Sequence, residues 1–137
     1  MKFDMTYRVS YGDTDQMGVV YYANYLELFE RGRTEMLRSA GLTYRDFELA
    51  GFLLPVHEAH CRYHRPAHYD DLLTIRSWIR EMRGVRFTVA CEILREGELL
   101  AEGYVTLACL DSDRRPVRLP EMLTSRCRRF QAEEDPS

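Results

Sequence analysis

The chain has 137 residues, 45% hydrophobic, 30% charged and 12% aromatic, which suits one domain with a substantial core and argues against disorder throughout. A net charge of -3 and a pI of about 5.8 argue against a nucleic-acid binder. No apolar run approaches the ~20 residues of a membrane span, and Met1-Lys2-Phe3-Asp4 has no apolar signal core, so the expected location is the cytoplasm.

Phe3, Met5, Tyr7, Val9 and Tyr11 alternate on one face, which predicts a first strand. Gly12 to Gly18 is turn chemistry. Tyr22, Tyr25, Leu26, Phe29, Arg33, Met36, Leu37 and Ala40 then recur at helical spacing, and Gly41 supplies the stop. Thr43 is placed to cap a short helix reaching Leu49. After Pro55 the period changes to two, predicting strands around Ala59–His64, Leu72–Ile79, Val85–Ile93 and Ala101–Cys109. The short connections at Tyr69-Asp70-Asp71, Arg83-Gly84 and Glu96-Gly97 imply antiparallel neighbours. A polar loop spans Asp111 to Arg118, and Pro120 starts a last helix to Phe130. The expectation is one domain over residues 1–132 and an acidic tail at 133–137. The class is α+β, with one long helix packed on a curved five-stranded antiparallel sheet. Leu72, Trp78 and Leu110 lie opposite the helix-facing residues and point to a second covered surface, expected to be a subunit contact.

Cys61, Cys91, Cys109 and Cys127 form no C-x-x-C pair and read as small hydrophobes in a reduced chain. Of His57, His60, His64 and His68, the first three fall between Pro55 and Pro66 on an alternating stretch, and His68 follows Pro66. On a strand, His60 and His64 stand about 13 Å apart, too far to share a metal. No metal is expected. Of the 19 basic residues only Lys2 is a lysine, and arginine suits a local anion site.

Asp13-Thr14-Asp15 begins like a calcium loop, but Met17 holds position 5 and Asn24 holds position 12, where a Glu is required. Aspartyl-phosphate chemistry would need more alternating strand–helix units. Asp13 reads as a turn former or cap. Asp15 precedes Gly18-Val19-Val20-Tyr21-Tyr22 and the helix. A carboxylate beside unpaired helix-start amides has the parts for acyl transfer: the amides polarise a carbonyl, and the carboxylate attacks it or activates water. Gly18 lets backbone approach a ligand closely.

The run Tyr11 to Tyr25, continuing through Phe29-Glu30-Arg31-Gly32-Arg33-Thr34-Glu35, resembles the signature of the 4-hydroxybenzoyl-CoA thioesterase family. These are hotdog-fold acyl-CoA thioesterases and include the Tol–Pal-linked thioesterases. The resemblance extends through Pro66 to Ile75 and reaches Leu119-Pro120. It implies an acyl-CoA substrate, no cofactor, and a homo-oligomer, either a dimer or a dimer of dimers. It implies that Asp15 is the catalytic carboxylate and that Tyr22 offers its backbone N–H to the thioester carbonyl. Tol–Pal-linked members usually carry His at this position; here it is Tyr, as in the 4-hydroxybenzoyl branch. Tyr11 matches an aromatic near the site. Gly18 and Val19 belong to the substrate-binding turn. Arg83 matches a coenzyme-contacting position, with Arg86 beside it. Glu30 and Arg33 read as a structural ion pair. The alternative is a non-catalytic acyl-CoA-binding or protein-interaction module on the same fold.

Overall fold

The alternating stretches are strands and the long periodic stretch is a helix. The computed structural model describes residues 1–131, so the tail expected at 133–137 lies outside the described residues. In chain order these are β1 (Phe3–Arg8), α1 (Asn24–Ser39), α2 (Tyr44–Leu49), β2 (Phe52–Leu53), β3 (Val56–Tyr63), β4 (Leu72–Arg83), β5 (Arg86–Arg95), β6 (Glu98–Ala108), β7 (Leu110–Asp111) and α3 (Glu121–Cys127). Thr43 caps α2 as expected, its hydroxyl accepting from Asp46 N.

The main sheet has the order β1-β4-β5-β6-β3, every pair antiparallel. A separate ribbon of β2 and β7 was not anticipated, because two-residue strands carry no period. The 69–71 connection does not join neighbours: β3 pairs with β6, not β4. Residues 64–71 instead cross the end of the sheet, a step of about 14 Å at three strand spacings. They are tied down on the way, with His64 N and Arg65 N donating to Leu100 O, and Asp70 N to Val9 O. β3 is thereby left as an edge strand, largely exposed and hydrogen-bonded on one side.

The core lies between α1 and the concave sheet face. Leu73, Ile75, Ser77 and Ile79 of β4 meet Tyr25, Leu28, Phe29, Gly32, Arg33, Met36 and Leu37 of α1. The buried stripe keeps Tyr25, Phe29, Arg33, Met36 and Leu37 of the expected one and differs at its margins: Tyr22 and Leu26 are exposed, while Leu28 and Gly32 are buried. Gly32 sets the closest approach, since a Cβ there would stand 2.6 Å from both Ile75 Cγ2 and Ser77 Oγ. A residue that works by lacking a side chain leaves no mark in an apolar pattern.

The outer sheet face is charged as well as apolar. The Lys2 ammonium lies 4.0 Å from the Trp78 ring centroid, and the Arg80 guanidinium 4.8 Å from that of Tyr104. Cys91, Cys109 and Cys127 are buried and Cys61 half-buried, all as free thiols. No helix among the described residues is long and apolar enough to cross a membrane.

Candidate active site

Residues 10–25 form a knotted approach to α1. Asp13 Oδ2 accepts from the Tyr7 hydroxyl, the Ser10 amide and the Ser10 hydroxyl. Burial pushes its carboxyl up, but these hydrogen bonds and nearby Arg31 outweigh burial and hold it below the ordinary value. Asp13 is thus a capping residue, as its turn position predicts.

Asp15 sits in the next turn. Its amide donates to Val19 O, and Gly18 N donates back to Asp15 O. Gly18 has φ 79°, where a side chain would strain the turn. Val19 bridges to His68, and Val20 N donates to Ala67 O, so the turn is fastened to the 64–71 crossing. The Asp15 carboxylate is exposed and accepts from Met17 N at 2.8 Å, an amide of its own turn and not of the helix.

The helix does not follow Gly18 directly. It starts at Asn24, because Val19 and Val20 are engaged in bridges and Tyr21–Ala23 form a turn. That turn orients two peptides. Tyr21 O accepts from Asn24 N, and Tyr22 O accepts from Tyr25 N and from the Tyr63 hydroxyl. In a trans peptide the N–H points opposite to the carbonyl. The amides of Tyr22 and Ala23 therefore face away from these bonds, and neither has an acceptor among the described residues. A cavity of about 270 Å³ is lined by Val20, Tyr22, Tyr25, Tyr63 and residues 64–66; neither Ala23 nor Asp15 is among its lining residues.

The Tyr22 side chain is 63% exposed and stands edge-on to Tyr63. Burial first, then Cys61, pushes the Tyr63 phenol up to about 12, so it stays a donor at neutral pH. Tyr25 accepts from Ala67 N and packs on Tyr63 at 5.1 Å. The Tyr21 phenol is raised chiefly by the neighbouring Tyr22 hydroxyl and least by the Asp15 charge.

Other expected residues lie elsewhere. Tyr11 is 80% exposed and packs edge-on against Tyr69, outside the lining of that cavity. Arg83 and Arg86 face each other across the β4–β5 hairpin. The Asp15 turn is fastened near the Leu72 end of β4, so the strand puts roughly 35 Å between them. One chain therefore does not bring these arginines to Asp15. The Glu30–Arg33 ion pair is also absent: Glu30 is exposed, and Arg33 Nε donates to the Tyr44 hydroxyl at 2.8 Å. Glu30 stays in solvent while Arg33 is buried, a difference that a three-residue spacing alone does not reveal. Tyr63, Tyr25 and Ala23 were missed because nothing near them in the sequence marks their meeting.

The Thioesterase-like superfamily profile matches residues 9–127. The acyl-CoA thioester hydrolase YbgC of Escherichia coli O6:H1 is 36% identical over 120 residues, covering 86% of this chain and 90% of its own. The acyl-CoA thioesterase YbgC of Haemophilus influenzae is 35% identical over 121 residues, covering 87% and 89%. The solved structure of Slr0204, a 1,4-dihydroxy-2-naphthoyl-CoA thioesterase from Synechocystis, aligns with a TM-score of 0.87 at 26% identity, covering 93% of this chain and 96% of its own. Sequence match, strand order and helix placement agree: the chain belongs to the thioesterase-like superfamily and is a thioester hydrolase of the hotdog fold.

Proposed function

We propose that the protein hydrolyses an acyl-CoA thioester to the free acid and coenzyme A in the cytoplasm, without cofactor or metal. The observation that carries the reading is the pair of anchored amides at Tyr22 and Ala23, in the turn that opens α1, with no acceptor among the described residues. They supply donors for the oxyanion that forms when the thioester carbonyl is attacked. Asp15 is the attacking group or the base. As nucleophile it forms an acyl–carboxylate anhydride, expels the coenzyme thiolate, and water then cleaves the anhydride. As base it takes a proton from water, which adds to the carbonyl, and collapse again expels the thiolate. Tyr22 acts through its amide, and Gly18 and Val19 keep the turn open to substrate.

The site takes a second copy of the chain. The free edge of β3 supports this. Antiparallel pairing of two β3 edges sets the Val56 end of one copy beside the Tyr63 end of the other. The Arg83–Arg86 hairpin lies at the Val56 end, because Arg86 pairs with Ala108 and Val56 with Leu107. A dimer thus carries one copy's arginines toward the other's Asp15, where they meet coenzyme phosphates. Two dimers then join through the outer sheet faces.

The test is thiol release from a panel of acyl-CoAs. Asp15→Asn keeps the shape and should lower turnover by about 10²–10⁴-fold, while Tyr22→Phe should leave it nearly unchanged. Turnover of Asp15→Asn near that of the parent sinks the mechanism. Sedimentation showing only monomer at micromolar concentration sinks the shared site.

A further inference from the structure

Asp13 is held from one side and accepts from the other. Its carboxylate is fixed by Tyr7 of β1 and by Ser10. Its main-chain oxygen accepts twice, from Tyr21 N and from the Asn24 side-chain Nδ2, each at 3.0 Å. A carbonyl oxygen has two lone pairs, so both are taken. The two donors, at positions 21 and 24, converge on one atom and bracket Tyr22 and Ala23, the residues whose amides have no acceptor among the described residues. The Thr14–Val20 bridge and the Tyr21 amide hold the loop as far as Tyr21, and Asn24 carries the constraint past the two amides.

Asparagine suits a helix cap, where its side-chain oxygen accepts from the following amides, better than it suits a helix. Asn24 is the first residue of α1 and does the reverse: it donates backward, to a carbonyl that precedes the helix. The capping position falls to Ala23, which makes no side-chain cap. The start of α1 is thus anchored by a bond that leaves the Tyr22 and Ala23 amides free. Asn24 acts on this turn in two ways. Its own N–H donates to Tyr21 O at 2.9 Å, which fixes the peptide that carries the Tyr22 amide. Its side chain sets where the turn stands relative to Asp13, and so to Asp15 two residues on. The side chain is half-buried, which shields that bond from competing water.

We propose that Asn24 is a positioning residue for the hydrolysis: its carboxamide keeps the Asp15 turn at one spacing from the Tyr22 and Ala23 amides. This rests on the reading of Asp15 as nucleophile or base and of those amides as oxyanion donors. The carboxylate, or the water it activates, must meet the same carbonyl that the amides hold, and a misplacement of about 1 Å can cost about 10²-fold. Asn24 touches neither the substrate nor the reacting atoms and acts through that spacing alone.

The test is Asn24→Ala in the full chain, assayed by thiol release with the acyl-CoA that the parent hydrolyses fastest. The change removes the side-chain donor, keeps the main-chain bond to Tyr21 O, and puts a better helix former in α1, so the helix itself is not weakened. Turnover should fall about tenfold with KM within about twofold of the parent, and the melting temperature should stay close to the parent's. In an Asp15→Asn background the same change should lower the residual turnover by less than about twofold, because the spacing then has no carboxylate to serve. A purely structural role would lower turnover equally in both backgrounds, and the melting temperature with it. Asn24→Asp keeps the size of the side chain and, ionised, has no proton to donate; it takes the place of Asn24→Ala, with the same expectations, if that variant fails to fold. Turnover like the parent's in the folded variant overturns the proposal, as does an equal loss in both backgrounds. A slow Asp15→Asn beside a fast Asn24→Ala removes the role of Asn24 alone. A fast Asp15→Asn removes the hydrolytic mechanism and this proposal with it, so the two failures are told apart.

Discussion

The hydroxyl of Tyr63 donates to the main-chain oxygen of Tyr22 at 2.8 Å, joining the edge strand to the turn that opens α1. That bond fixes the peptide whose N–H belongs to Ala23. Tyr63→Phe removes the donor and keeps the ring against Tyr22 and Tyr25. One such bond contributes about 1 kcal/mol, so kcat should fall by roughly fivefold with KM little changed. An unaltered kcat accompanied by a lower melting temperature would make Tyr63 a stabilising residue and nothing more.

Gly32 and Gly103 are both positions of contact with no room for a methyl group. At Gly32 the added Cβ meets Ile75 and Ser77, pushing α1 off β4. Gly32→Ala should therefore cost about 1–3 kcal/mol in urea unfolding. At Gly103 it meets the His60 carbonyl and the backbone of Cys61 on β3. Gly103→Ala should be worse, because it separates β3 from β6 and carries Tyr63 away with it. Its turnover should fall with its stability.

Asp13 and Asp71 govern the acid limb of stability. Burial raises both carboxyls, but hydrogen bonds outweigh it: from Tyr7 and Ser10 onto Asp13, and from His68 N and Arg95 onto Asp71. Both titrate below the ordinary 3.8 in the folded chain. The unfolded chain thus binds these protons first as pH falls. Their stabilisation is complete above 3.8 and is lost as pH drops through the lower folded values. Urea midpoints measured across that range should fall steeply for the parent and less steeply for Asp13→Asn/Asp71→Asn, whose midpoint should already be lower at neutral pH. Equal slopes would remove these two carboxyls from the account.

The thiols should differ in reactivity by their burial. Burial pushes Cys91 up to about 12 and Cys127 to about 11, and raises Cys109 and half-buried Cys61 as well. The thiolate is the reacting form. An aromatic disulfide reagent should therefore modify Cys61 first in the native protein, and the other three only as the chain unfolds. Rapid native labelling of Cys91 would contradict the packing of β4 on β5.

The long alternating and helical stretches were legible because water imposes their period: one face of each must be buried, and the spacing of apolar residues records which. That is why α1, α2, β4, β5, β6 and the Thr43 cap could be read locally. The Asp13–Tyr25 motif was legible for another reason, since its resemblance to a known signature extends over many consecutive residues. The partner of β3 was not legible, because a period of two says nothing about which strand lies alongside. The buried stripe of α1 was legible at Tyr25, Phe29, Arg33, Met36 and Leu37, but Gly32 was not, because it packs through its missing side chain.

The sequence alone determined the class of the fold, its main elements and the family to which it belongs. Tertiary structure decided that the amides of Tyr22 and Ala23 have no acceptor among the described residues, that Tyr63 comes from a distant strand to bond the Tyr22 carbonyl, and that Arg83 and Arg86 stand at the far end of the sheet from Asp15. It also replaced the Glu30–Arg33 pair with Arg33 and Tyr44. The physical reason is one of range. Periodicity and turn chemistry act between residues a few positions apart, whereas these relationships join residues brought together only by strand order and by a crossing segment whose hydrogen bonds are made with other parts of the chain.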